Sequence, residues 1–237
     1  MPRRPAPSAT ARQRDAPVRG SPVPRAAGGG FPLTPSMRSP SPEIGVRAQR
    51  TIERILDATR EVFLALGYGG TTIDDITRAA GTSRASFYTY FPSKRDALLA
   101  LGQDAYLGAE ELVRRLAIQA PGWSFSDLEQ WVGEYFDFLD EHGSFVLAWT
   151  QAASEDDALR TAGLKNHLRS CRHLGEALEA LRGHPVGDPT QQGMFVFGMM
   201  DRVWSQWRVV GAPFSAADVH TNAALIIEAL LRYGSRA

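Results

Sequence analysis

The sequence predicts an all-α fold: an N-terminal three-helix domain containing a helix-turn-helix, then a C-terminal helical bundle. Three observations carry that prediction. Apolar residues recur at helical spacing through most of the chain after residue 47. No stretch shows the Val/Ile/Thr-rich alternation of a half-buried strand. The helical stretches are divided by Gly, Pro and Ser/Thr/Asp capping residues. At 237 residues the chain suits one or two domains with a sizeable core. On these signals it divides into a tail over 1–47, a helix-turn-helix domain over 48–107 and a second helical domain over 108–237.

Residues 1–47 are rich in Pro, Gly, Ser, Ala and Arg and show no hydrophobic period. Such a composition buries too little apolar surface to offset the entropy of ordering, so disorder is expected. Eight arginines (Arg3, Arg4, Arg12, Arg14, Arg19, Arg25, Arg38, Arg47) stand against only Asp15 and Glu43. Two readings stay open. One is a basic arm that adds non-specific phosphate contacts. The other is a dispensable tail, or an overlong one with the true start at Met37, and a purely compositional signal favours this second reading.

The first helix is predicted over 48–66. Ile52, Ile55, Leu56, Thr59, Val62, Phe63 and Leu66 fall on one stripe, and Gly67 stands where glycine stops a helix. Thr72 and Asp75 form a capping box for a second helix, in which Ile73, Ile76, Ala79 and Ala80 keep helical spacing. Gly81 supplies the corner. Ser83 caps a third helix over Arg84–Tyr90, and Phe91-Pro92 ends it. Ser93 and Asp96 open the next. Two short helices about a glycine turn, the second of them exposed, make a helix-turn-helix.

That second helix has the composition of a surface that reads DNA. Ser83, Arg84, Ala85 and Ser86 are small or cationic and lie in its first turn, where a recognition helix meets base edges. Arg84 can fork onto guanine, and Ser86 can bond to several bases. Tyr88 and Tyr90 offer hydroxyls to phosphate. Lys94 stands beside the free N–H groups of the following helix, which suit an anion. Thr72, at the head of the preceding helix, completes the predicted contact set. Phe87 and Phe91 are expected to face inward. From Arg78 to Arg95 there are four cations and no carboxylate. Arg47 and Arg50 can reach phosphate or the minor groove.

The run G-Y-x-x-T-T-I-x-x-I-x-x-A-A-G-T-S-x-x-x-F-Y-x-Y-F-x-S-K, from Gly67 to Lys94, resembles the DNA-binding domain of the TetR family of bacterial transcriptional regulators. The likeness covers about Ala48 to Leu107, and its Tyr-x-[Tyr/His]-Phe-x-x-Lys ending is the specific part. One position departs: Ala85 stands where the family most often has Gly, and it is still small. The resemblance implies a homodimer on double-stranded operator DNA. It also implies a C-terminal domain that dimerises and binds a small effector, with the protein expected to act as a repressor released by that effector.

Further helical patterns run from Ser93 to about Gln119, Phe125 to Glu141, Ser144 to Ser154, Asp156 to Arg182, Pro189 to Val210 and Ala216 to Tyr233. Gly143 is read as a break between the second and third of them, and Pro121-Gly122 as the end of the first. Trp131, Tyr135, Phe145, Trp149, Phe195 and Met199 belong to an aromatic- and Met-rich set that suits a cavity for a bulky apolar or aromatic effector. Each of them taken singly is more often plain core. Gly193 and Gly198 are expected to leave room beside their helix. Arg202 and Arg208 can meet an anionic group on the ligand, although pairing with Asp201 or another acid is the simpler reading. Leu225, Ile226 and Leu230, with Trp204 and Trp207, are predicted to form a four-helix dimer interface.

The net charge is zero, but residues 1–95 hold fifteen Lys/Arg against seven Asp/Glu, and residues 96–237 eleven against nineteen. A basic half joined to an acidic half suits a nucleic-acid-binding part and a part that avoids it. Cys171 is the single cysteine, which leaves no intrachain disulfide and no cysteine zinc finger. His167, Cys171 and His173 are too few and wrongly spaced for a metal site. His142 lies among Asp137, Asp140 and Glu141, without a nucleophile beside a positioned base. The chain has no phosphate-binding loop or dinucleotide fingerprint, and no apolar run long enough for a membrane span. No catalytic residue, metal or cofactor is expected, and the location expected is the cytoplasm. The alternative from another class is a helical small-molecule-binding or catalytic protein that keeps a vestigial DNA domain.

Overall fold

The computed structural model describes residues 42–120 and 122–233. The expected disorder of the tail concerns, over 1–41, residues outside that range, as does the break at Pro121. Among the described residues eight α-helices follow one another: α1 (Pro42–Gly70), α2 (Ile73–Ala79), α3 (Arg84–Tyr90), α4 (Lys94–Ala117), α5 (Phe125–Glu155), α6 (Asp157–Arg182), α7 (Pro189–Trp204) and α8 (Ala216–Leu231), with a π-helical turn, Ser205–Val209, after α7. Among the described residues there is no strand. The first helix begins at Pro42, six residues before the predicted start, with proline in the position where its missing N–H costs nothing. Gly67, at φ 70°, breaks the regular helix near its end.

The helices enclose two cores. Ile55, Phe63, Ile76, Phe87, Phe91, Leu98 and Leu101 fill the first, between α1 and the start of α4. Leu112, Leu116, Leu128, Trp131, Phe136, Leu174, Leu178, Val196, Met200 and Ile227 fill the second, between the rest of α4 and α8. The first core is not closed by the N-terminal helices alone. Ala148 and Ala152 of α5 and Leu159 of α6 belong to it. Two seven-residue helices have little stability of their own, so the wall supplied by α5 matters.

Gly143 does not break α5. A Cβ there would stand 2.2 Å from the Trp204 ring, so the glycine lets an indole lie flat on the helix. The helix therefore runs 31 residues without interruption, about 46 Å at 1.5 Å per residue. Trp204 and Trp207 are likewise not available to a partner. They are 5% and 8% exposed, packed in the chain's own second core. Trp204 Nε1 donates to Asp140 Oδ1 at 2.8 Å, and Trp207 lies edge-on to Phe136 under the Arg208 guanidinium. Of the predicted dimer residues, Leu225 and Ile226 are exposed, and Leu230 is half-buried against the core.

Gly193 leaves no room either. A Cβ on it would lie 1.8 Å from the Cys171 carbonyl oxygen, and one on Gly175 1.8 Å from that of Pro189. At these two points α6 and α7 touch backbone to backbone. Gly198 has nothing within 4 Å. Gly193→Ala is therefore expected to destabilise the fold by about 3 kcal/mol through overpacking. Gly198→Ala should stabilise it by about 0.5–1 kcal/mol through helix propensity. Urea unfolding followed by circular dichroism separates the two, and equal effects would refute the close crossing.

Candidate nucleic-acid interface and effector cleft

The helix-turn-helix is held by local bonds and two long-range cations. Thr72 and Asp75 exchange both capping bonds, with Thr72 N–H donating at 3.0 Å and Asp75 N–H at 3.2 Å. The bond from the Thr72 hydroxyl, before any other cause, holds the Asp75 carboxyl below its ordinary range. Ser83 Oγ accepts from the Ser86 N–H at 3.1 Å. Gly81 turns the corner at φ 58°. Arg54 of α1 donates to the Ala80 carbonyl at 2.6 Å and the Gly81 carbonyl at 3.1 Å, so the corner is tied down from behind. Arg54 was not singled out in the sequence, because its partners are backbone atoms 26 and 27 residues away.

With Phe87 and Phe91 fully buried, α3 presents Ser83, Arg84, Ala85 and Tyr88 outward, with Ser86 and Tyr90 half-buried. Arg84 Nη1 donates to both oxygens of Asp74 at 2.9 Å, and Nη2 reaches the Tyr88 hydroxyl at 3.4 Å. Both members of that ion pair are more than half exposed. Exposed pairs of this kind contribute little, so Arg84 is cheaply exchanged.

Lys94 has different partners from those predicted. Its ammonium donates to the Tyr68 carbonyl at 2.6 Å and the Thr71 carbonyl at 2.8 Å, and sits 4.3 Å from the Tyr68 ring centre. Burial lowers its pKa. The reason is Gly67: its positive φ turns the end of α1 so that carbonyls of the α1–α2 junction face the start of α4. Lys94 clamps the α1–α2 junction.

Behind this unit a cleft of about 590 Å³ opens between α4, α5, α6 and α7. Tyr135, Phe145 and Trp149 line it as predicted, and Tyr106, Phe138, Phe197, Asn166, His167, Ser170 and Asp201 join them. The other predicted pocket residues lie elsewhere. Trp131 is sealed in the core with its Nε1 donating to the Leu112 carbonyl at 2.9 Å. Phe195 is 78% exposed, because it stands on the face of α7 opposite its core stripe. Met199 lines a separate groove of about 320 Å³ beside α8. Arg202 is exposed, one residue round the helix from the cleft. Arg208 pairs with Asp140 at 2.8 Å.

Asp201 is the residue sequence reading missed. Its place in the run Phe197, Asp201, Trp204, at i, i+4 and i+7 on an otherwise apolar face, was the available signal. Its Oδ1 accepts from the Tyr135 hydroxyl at 2.8 Å. Burial pushes its carboxyl up to about 6, and burial holds the Tyr135 phenol well above its ordinary range. Burial also lowers the His167 imidazole and lifts the Cys171 thiol to about 11, the two standing 3.5 Å apart. Glu110 accepts from Ser170 Oγ at 2.8 Å and stands 2.6 Å from His173 Nδ1. Here the hydroxyl meets the carboxylate and not the imidazole, so the imidazole does not activate it. Among the described residues no three His, Cys, Asp or Glu side chains converge on a metal-sized site.

The raised Asp201 pKa fixes the sign of a pH effect. The native state holds this proton more tightly than the unfolded chain, so the stability it lends is complete below about pH 4 and lost as pH rises through 6. The expected loss is about 2–3 kcal/mol. Asp201→Asn should match the parent near pH 4 and exceed its stability at pH 7.5. Denaturant titrations of both proteins across pH isolate the difference, and parallel curves would contradict the buried carboxyl.

Residues 55–101 match the sequence profile described as "Bacterial regulatory proteins, tetR family". The regulator SrpR of Pseudomonas putida is 43% identical over 54 residues, 23% of this chain and 25% of its own length. CymR of Pseudomonas putida is 34% identical over 125 residues, 51% of this chain and 61% of its own. Over the first curated relatives the matched stretch spans 25–40% of their length. The crystal structure of the TetR-family regulator PfmR from Thermus thermophilus superposes with a TM-score of 0.59 at 21% identity, covering 73% of this chain and 96% of that one. No helix among the described residues is long and apolar enough to cross a membrane. Residues 55–101 therefore carry the helix-turn-helix domain of the TetR family of bacterial regulatory proteins, and the described chain shares the fold of the solved PfmR structure.

Proposed function

We propose that the protein is a ligand-responsive, sequence-specific DNA-binding repressor that works as a homodimer, and that a small molecule in the α4–α7 cleft releases it from its operator. The observation that carries this reading is that α5 belongs to both parts. Phe145, Val146, Trp149 and Ala153 line the cleft, while Ala148 and Ala152 pack into the core of the helix-turn-helix domain. On the same turns Gln151 Oε1 accepts from the Tyr68 N–H at 2.7 Å. That bond grips the turn that Lys94 clamps from the α4 side.

A ligand therefore has two routes to the DNA-binding surface. It can press on Gly102, Ala105 and Tyr106 of α4, whose first residue is Lys94. It can also press on Phe145 and Trp149 of α5, within two turns of Gln151. Either displaces the Gly67–Tyr68 turn and with it α2 and α3. Two recognition helices that leave their spacing of about 34 Å no longer fit successive major grooves. The exposed Leu225 and Ile226 of α8, beside the groove formed with Met199, Val203 and Phe214, supply the apolar face for the two-fold partner.

Three measurements test this reading. Arg84→Ala should lose about 1–3 kcal/mol on the DNA upstream of the protein's own gene and relax the preference at one base. Asp74→Asn, which frees Arg84 and removes a carboxylate facing phosphate, should tighten binding. Unchanged affinity in both would remove α3 as the reading helix. Light scattering should show monomers when Leu225 and Ile226 are both replaced by Glu, and a surviving dimer would place the interface elsewhere. Calorimetry of an effector with and without operator should give different affinities, by reciprocity. Gln151→Ala should shrink that difference while leaving affinity for the free protein intact. Equal affinities in the parent protein would mean the cleft does not control DNA.

A further inference from the structure

We propose that the cleft takes a protonated aromatic amine, with Asp201 as its counter-ion and Phe138, Phe145 and Trp149 as its walls. This rests on the reading of the cleft as the effector site and adds the chemistry of the occupant. Among the described residues Asp201 is the single carboxylate lining the cleft, and Arg160 the single Lys or Arg. Arg160 is already held by Asp157 at 2.5 Å and is more than half exposed, at the rim. The interior is therefore negative.

Asp201 is half-buried in the cleft wall and poorly matched for an acid so placed. Its side chain has the Tyr135 hydroxyl as hydrogen-bond partner, and among the described residues no Lys or Arg forms an ion pair with it. Tyr135 of α5 bonds to it, Cys171 of α6 feels its charge, and His167, beside Cys171, lines the same cleft. The first keeps its proton, and burial holds the other two toward their neutral forms. Arg202, next in sequence, is exposed on another face. An ionised carboxylate buried with one neutral partner is costly, and a cation set against it recovers that cost in a low dielectric. The aromatic rings around it attract the same cation through their faces. An anionic ligand would meet Asp201 with no interior cation to offset it, and a neutral one would leave the carboxylate as it is. The volume of about 590 Å³ admits two or three fused or linked rings beside the ammonium group.

The test uses the full chain and three aromatic skeletons, 1-naphthyl, biphenyl and diphenylmethyl. Each is carried as a primary amine, as the matching alcohol and as the matching carboxylate, and affinities are measured by calorimetry at pH 7.5. At least one skeleton should bind as the amine about tenfold or more tighter than as the alcohol, with the carboxylate weakest. Asp201→Asn should bring that amine to within about twofold of the alcohol and leave the alcohol unchanged, which also shows that the variant's cleft is intact. Tyr135→Phe, which keeps the carboxylate, should retain the preference. Alcohols or carboxylates binding as well as the amines, a preference that survives Asp201→Asn, or no binding by any amine overturns the proposal. Operator release is scored separately by gel shift. An amine that binds through Asp201 but leaves the operator complex intact upholds the ligand class and refutes the repressor-release reading.

Discussion

The contact between the last turns of α5 and the end of α1 is the constraint on which the rest of the structure rests. It is made close by alanines. Ala148 and Ala152 have so little side chain that α1 can lie against α5, and the gap at the turn is closed by the Gln151 amide. Remove that surface and the N-terminal unit keeps two helices of seven residues with an open core. One helix thus closes the N-terminal core with its alanines and lines the cleft with the residues beside them. The wall that completes the DNA-binding domain is the outer side of the wall that lines the cleft.

Cations behind the recognition helix serve a second kind of work. Arg54 and Lys94 both end on backbone carbonyls, at Ala80 and Gly81 and at Tyr68 and Thr71. These are carbonyls at helix ends and turns, where acceptor capacity is left over. A charged donor to a carbonyl makes a stronger bond than a neutral one. The geometry of α2 and α3 is therefore fixed by charge placed underneath. The charge on top, at Arg84, is left in an exchangeable pair with Asp74.

Much of this was legible in the sequence where local chemistry decides. The caps at Thr72, Ser83 and Ser93, the corner at Gly81 and the inward pair Phe87 and Phe91 are consequences of residues a few positions apart, and the structure places them as read. The family resemblance rested on the same short-range pattern. What was not legible depends on partners far along the chain. Gly143 reads as a break until Trp204, 61 positions on, is seen lying against it. Trp204 and Trp207 read as a sticky surface until their own core encloses them. Only three of the seven predicted pocket residues line the cleft, because helical period gives the face of a residue but not which neighbour that face meets. Asp201 was passed over because a carboxylate on a helix is usually at the surface.

The glycine crossing of α6 and α7 has a mechanical consequence. At Gly175 and Gly193 the two backbones are in direct contact, with no interlocking side chains there that slide to a new register. Packed elements shift by small side-chain adjustments, and this pair has none to give at its crossing. It therefore acts as a stiff plate, and the side of the cleft that carries Asp201 and His167 is an anvil. All the give lies opposite, in α4 and α5. Under the proposed function, a one-sided wall of this kind would direct the bulk of an occupant toward α4, α5 and the Gly67 turn.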